Sequence, residues 1–185
     1  MKLINKKSTK DYILWSVIIG SGVILDQITK WLAVWGLKKL DTLPLIEDIL
    51  HLTYVENRGA AFGMFSDERW VFILISSVAI LGFTIYLYLG HTGSRLYEIS
   101  ISLIISGGIG NMIDRLALGY VVDFIDCRFV KYPNFTDGDV IWRTFPVFNG
   151  ADSFVCVGAA LLMLALILDT VAEAKAKGER NDRKS

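Results

Sequence analysis

The chain has 185 residues, 53% of them hydrophobic, with a mean hydropathy of +0.46, more apolar surface than a soluble core of this size needs. Its 19 basic and 19 acidic side chains cancel, and no basic stripe interleaved with aromatics offers a footprint for nucleic acid. The two cysteines, Cys127 and Cys156, have no CxxC or Cys/His spacing, so neither a metal site nor a disulfide framework is indicated, and no cofactor is expected.

A bilayer-crossing helix needs roughly 20 mostly apolar residues, because its backbone polar groups must be satisfied within the segment. Four stretches approach that length: about 12–37, 70–90, 97–118 and 152–170. They predict a single membrane-embedded domain, an α-helical integral membrane protein built as a four-helix bundle. The first stretch follows a basic flank, but its apolar run continues past Asp26 with no small-residue cleavage site, so it reads as a retained helix. Lysines flank it on the N-terminal side, and the tail from about 173 to 185 carries Lys175, Lys177, Arg180, Arg183 and Lys184. By the positive-inside rule both ends are cytoplasmic, and segments 38–69 and 119–150 face the other side. The tail is expected to fray into disorder.

The first helix carries Asp26 and Lys30 at i,i+4 near its outer end, with Gly22 one turn earlier allowing close approach. Here an intrahelical ion pair is favoured over direct catalysis. Segment 38–69 alternates apolar residues at Leu50, Leu52 and Tyr54 before Asn57-Arg58-Gly59, a pattern of short strands and a turn. The third helix ends in Gly107-Gly108-Ile109-Gly110-Asn111-Met112-Ile113-Asp114-Arg115, where Asn111, Asp114 and Arg115 share a face. Helix packing through glycines with polar glue accounts for the glycines, and for the Asn, Asp and Arg less well. Residues 119–126 then alternate like a short strand, which holds Asp123 just beyond the helix end. Asp152 opens the fourth helix, where an N-cap is the simple explanation.

Topology adds to that explanation. The third helix ends and the fourth begins on one membrane face, so Asp123 and Asp152 can meet, flanked by Asn111 and Asn149. Two carboxyl groups in a small desolvated site cannot both ionise, so the pair holds one proton near neutrality. The ionised member can take a proton from an attacking water while the protonated one, expected to be Asp123, donates to the developing oxyanion. A proton- or cation-coupled transporter is the competing reading. It would need charges through both leaflets, whereas the inner halves of helices two, three and four read as nearly charge-free. A structural assembly factor, with aspartates that only cap and glue helices, is a third.

Four blocks in order resemble the lipoprotein signal peptidase family (type II signal peptidase): residues 25–30 (Leu-Asp-Gln-Ile-Thr-Lys), 57–63 (Asn-Arg-Gly-Ala-Ala-Phe-Gly), 107–115 running into 121–124, and 148–153 (Phe-Asn-Gly-Ala-Asp-Ser). The resemblance covers nearly the whole chain. It implies an intramembrane aspartic endopeptidase of the bacterial cytoplasmic membrane, with a small extracytoplasmic β-rich cradle, a mobile outer helix and an active site near the outer leaflet. The implied substrate is a diacylglyceryl-modified prolipoprotein, cut on the amino side of its lipidated cysteine. The expected partners are that substrate and membrane lipid, and the expected state is a monomer. Asp123 and Asp152 would be catalytic. Asn57 and Arg115 would contact substrate; Asn111, Asp114 and Asn149 would support the dyad; Asp26, Lys30 and Gly59 would play supporting parts. The stretch from Cys127 to Pro146 departs from the blocks and reads as a polar, turn-bearing insertion. Both cysteines are expected to be small buried filler.

Overall fold

The computed structural model describes residues 7–40, 42–59, 69–89, 94–133 and 140–182. In chain order the elements are α1 (Thr9–Leu37), β1 (Leu43–Ile46), β2 (Leu50–Asn57), α2 (Arg69–Leu89), α3 (Arg95–Ala117), β3 (Val121–Pro133), β4 (Val140–Thr144) and α4 (Gly150–Asp182). Among the described residues, four helices are long and apolar enough to cross a membrane. Their surfaces carry exposed large apolar side chains such as Ile24, Trp31, Leu74, Val78, Leu164 and Ile167, as expected of helices solvated by lipid rather than water.

The central helix is α3, which packs against α1, α2 and α4, whereas α2 and α4 hardly meet. Close approach there rests on small residues. A Cβ at Gly158 of α4 would lie 2.7 Å from the Ser100 carbonyl, and one at Gly22 of α1 would strike the Ser106 hydroxyl. Ser106 in turn donates to the Ile19 carbonyl across the α1–α3 contact (3.1 Å). On α1 the buried residues Trp15, Gly22, Asp26, Lys30, Ala33 and Leu37 fall on one stripe, so a single face meets the bundle and the rest meets lipid.

At one end of the bundle the strands form an antiparallel sheet in the order β1-β2-β3-β4. Val55 of β2 lies opposite Asp123 of β3, and Asn57 opposite Val121. Two connections seat the sheet on the helices. After α3, Gly119 takes φ +88°, the left-handed conformation that ends a helix without a Cβ penalty; its N–H and that of Leu118 both reach the Asp114 carbonyl. Before α4, Phe148 bridges Ile125 in antiparallel fashion, with Phe124 and Ile125 both donating to its carbonyl.

Several expectations change. The helix expected to fray from residue 173 runs on to Asp182. The supposed insertion at 127–146 is largely strand: β3 extends to Pro133 and pairs with β4, while residues 134–139 lie outside the described set, as do 60–68 and 90–93. Cys156 is exposed on α4 and Cys127 is half-buried, so neither is core filler; α4 buries only a narrow stripe against α3. The end of the bundle away from the sheet is not charge-free either. Glu98 on α3 is buried and accepts from Lys7 (3.2 Å), Arg95 (3.0 Å) and the Trp15 indole (3.3 Å), a pairing that makes a buried carboxylate tolerable.

Candidate active site

Asp123 and Asp152 are delivered by the two connections just described. Asp123 sits on β3, 1% exposed, four residues after the Gly119 turn. The start of that strand is clamped from α3: the Val122 N–H donates to the Asp114 carboxylate (3.0 Å). Asp152 sits in the first turn of α4. It is not the N-cap that the simple explanation offered but the third helical residue; the cap is Asn149, whose side-chain oxygen accepts the Asp152 N–H (2.9 Å) while Asp152 accepts the Asn149 N–H (3.2 Å). This reciprocal box satisfies two otherwise orphaned N–H groups and fixes the direction of the Asp152 carboxylate.

The two carboxylates are joined through two asparagines. Asn149 donates one amide hydrogen to Asp123 (2.7 Å) and the other to the Asn111 oxygen (3.1 Å). Asn111 donates to the second oxygen of Asp152 (2.7 Å). With both donors spent and its carbonyl capping α4, Asn149 has no alternative amide orientation: a flip would set its oxygen against a carboxylate and its NH₂ against an N–H. From the sheet side Asn57 donates to the other Asp123 oxygen (2.8 Å), and its own oxygen is held by the Gly59 N–H (3.1 Å). Each aspartate thus accepts two hydrogen bonds, one per oxygen. Burial nevertheless dominates at Asp123 and pushes its carboxyl up to about 6, against the counterpull of the Asn57 hydrogen bond.

Beneath the pair lies a second, fully buried layer. Lys30 contacts Asp26 (2.9 Å), Asp114 (3.1 Å) and the Asn111 oxygen (2.9 Å). The expected intrahelical Asp26–Lys30 pair is therefore present, but as part of a network that reaches Asn111 and, through it, Asp152. Asp26 also accepts the Ala151 N–H (2.8 Å), which ties α1 to the first turn of α4. Close packing makes these contacts possible: a Cβ at Gly107 would strike the Ala151 carbonyl, and one at Gly110 would come within 2.5 Å of the Asp26 carboxylate.

Arg115 lies at the rim. It donates to the Asn111 carbonyl (3.4 Å) and sets its guanidinium 5.2 Å from the Phe72 ring. Gln27 went unremarked in the sequence beyond its place in a block, yet it donates to the Gly110 carbonyl (3.2 Å) and to Asp114 (3.1 Å). A polar residue beside Asp26 in an apolar run carries the same signal of cost that singled out its neighbour. Among the described residues no group of three acidic, His or Cys side chains could hold a metal ion.

A buried carboxylate pair at the end of a membrane-type bundle, oriented by amides and hydrogen-bonded to no thiol or hydroxyl among the described residues, has the parts of an acid–base hydrolase embedded in a membrane. Residues 18–168 match the family model described as signal peptidase (SPase) II, and the chain belongs to that family. It is 39% identical over 170 residues to a lipoprotein signal peptidase of Halalkalibacterium halodurans, covering 92% of this chain and 97% of that one. A Bacillus subtilis lipoprotein signal peptidase is 35% identical over 153 residues, 83% of this chain and 92% of its own. A solved bacterial membrane enzyme, determined by the in meso method at 2.3 Å, superposes with a TM-score of 0.70 at 32% identity, over 85% of this chain and 89% of that one.

Proposed function

We propose that this protein removes the signal peptide from diacylglyceryl-modified prolipoproteins, with Asp123 and Asp152 as its catalytic dyad. The observation that carries the assignment is the shared scaffold: Asn149 holds both carboxylates, Asp123 through its side-chain amide and Asp152 through its backbone N–H, while Asn111 accepts from Asn149 and donates to Asp152. The protein is an aspartic peptidase and needs no cofactor in this scheme. A water between the carboxyls loses a proton to the ionised aspartate as its oxygen attacks the scissile carbonyl carbon, while the protonated aspartate donates to the carbonyl oxygen. Collapse of the tetrahedral species breaks the C–N bond. The proton taken from water then passes to the leaving amine of the lipidated cysteine, and the dyad returns to its starting state with one shared proton.

The upward shift to about 6 brings the Asp123 carboxyl closer to the range in which a dyad can exchange a proton; we take Asp123 as the resting proton holder because Asp152 lies in the first turn of α4, where the helix dipole favours ionisation. Asn57, tied to Asp123, and Arg115, at the rim, are placed to meet substrate polar groups when the scissile strand enters. Lys30, Asp26 and Asp114 act through Asn111 and the start of β3; they position rather than react. In the membrane, both termini are cytoplasmic, and the sheet and dyad lie at the outer leaflet, where a lipid-anchored substrate presents the bond before its modified cysteine. The purified protein in detergent, with no ion gradient, is expected to cut a lipidated peptide immediately before that cysteine. Turnover only in sealed vesicles under a gradient would replace this reading with a transporter.

A further inference from the structure

The proposed chemistry uses the sheet end of the bundle, yet an apolar cavity lies elsewhere. Because α2 and α4 hardly meet, they wall a groove of about 560 Å³ floored by α3, lined by Gly82, Phe83 and Tyr86, by Ile101, and by Leu162 and Leu166. Its floor is closed, with Ile101 1% exposed, while its rims are open, with Tyr86 45% and Leu166 53% exposed.

The face of α3 that floors the groove runs on toward the dyad. On α3, Tyr97, Ile101, Ile104, Gly108, Asn111 and Arg115 recur at helical spacing and so form one stripe. Neighbours from both walls confirm its aspect: Ile80 of α2 lies over Gly108, Ile104 meets Gly158 of α4, Asn111 meets Asp152, and Arg115 meets Phe72. From Tyr97 to Asn111 the stripe rises about 21 Å at about 1.5 Å per residue. The apolar core of a signal peptide, roughly 7–15 residues, spans about 10–22 Å as a helix. At the far end of the groove Tyr97 lies beside the carboxylates of Asp169 and Glu173 of α4. A signal peptide carries its positive charge at that end.

We infer that the groove between α2 and α4 is the docking site for the signal-peptide helix of the precursor, with its apolar core on the α3 stripe and its basic N-terminal region against Asp169. This rests on the peptidase reading and adds to it a ruler. An apolar segment seated between Asp169 and Arg115 brings the following peptide bonds to Asp123 and Asp152, so substrates are measured by the length of the apolar core as well as read at the cleavage point.

The test uses the full chain in detergent and two lipidated substrates, a precursor with its whole signal peptide and a peptide beginning a few residues before the cleavage point. A Cβ at Gly82 meets nothing within 4 Å, so Gly82→Phe fills the groove without disturbing a helix contact. It is expected to lower kcat/KM for the whole precursor relative to the short peptide by about tenfold or more, with the short peptide reporting on folding. Asp169→Lys is expected to raise KM for a precursor with a lysine-rich N-terminal region, and recoding those lysines as glutamate should restore it. Equal slowing of both substrates by Gly82→Phe, or of neither, would overturn the docking site, as would an Asp169→Lys effect blind to precursor charge. Failure of the unaltered protein to cut either substrate would instead refute the peptidase reading.

Discussion

Replacing Asp123 with asparagine is expected to stabilise the fold at pH 8 and to leave it nearly unchanged at pH 4. Asp123 is 1% exposed, and burial raises its carboxyl to about 6, against about 3.9 in an unfolded chain. A carboxyl raised on folding weakens the fold where it is ionised. The penalty is therefore complete above pH 6 and disappears as pH falls through 6 toward 4. Two units at about 1.4 kcal/mol each give a ceiling of about 3 kcal/mol. Asparagine recovers less than that, because it offers one acceptor where Asn57 and Asn149 now each find one; a lost hydrogen bond of about 1 kcal/mol leaves a net gain of about 1–2 kcal/mol. Unfolding of the unaltered protein and Asp123→Asn in one detergent, at pH 8 and pH 4, measures the difference directly. A variant destabilised equally at both values would refute the reasoning, since its effect would then come from the amide network and not from an unfavourable charge.

Lys30→Met strands two buried carboxylates at once and is expected to cost about 3–5 kcal/mol, read as a lowered denaturation midpoint; a loss below about 1 kcal/mol would mean that Asp26 and Asp114 do not depend on it. Gly107→Val drives a side chain into the Ala151 carbonyl, and the resulting shift of α4 should lower kcat by about a hundredfold with a smaller change in KM. Asn149→Ala removes the α4 cap, worth about 1 kcal/mol, and also the tie between the aspartates, so its loss of activity should far exceed its loss of stability. The pH–rate profile is expected to be bell-shaped with one inflection near 6, and Asp123→Asn should abolish the activity from which that profile is read.

The four helices were legible because hydrocarbon permits so few solutions for a polar backbone, and all their ends but the last fell within a few residues of the apolar runs, α4 running on to Asp182. The strand character of 127–144 was hidden: the Tyr132-Pro133 step and the polar residues after it read as a loop, while the pairing that makes β3 and β4 is set by backbone contacts the local pattern does not report. A cap was the simple alternative for Asp152 because Asn149 and Asp152 are both capping types three residues apart; which one caps depends on where the chain enters the helix, and the Phe148 bridge to Ile125 decides that. Glu98 escaped notice because its partners Lys7 and Trp15 lie more than eighty residues away. The convergence of Asp123 and Asp152 could be read from topology. The asparagine scaffold between them, and the Lys30 layer below, required the packed bundle.

The central claim is that the two aspartates act together. The most direct measurement is cleavage of a lipid-modified precursor by purified Asp152→Asn beside the unaltered protein, both shown to be folded by their unfolding transitions. The account predicts a rate at least about a thousandfold lower for the variant; cleavage by Asp152→Asn at the unaltered rate would contradict it.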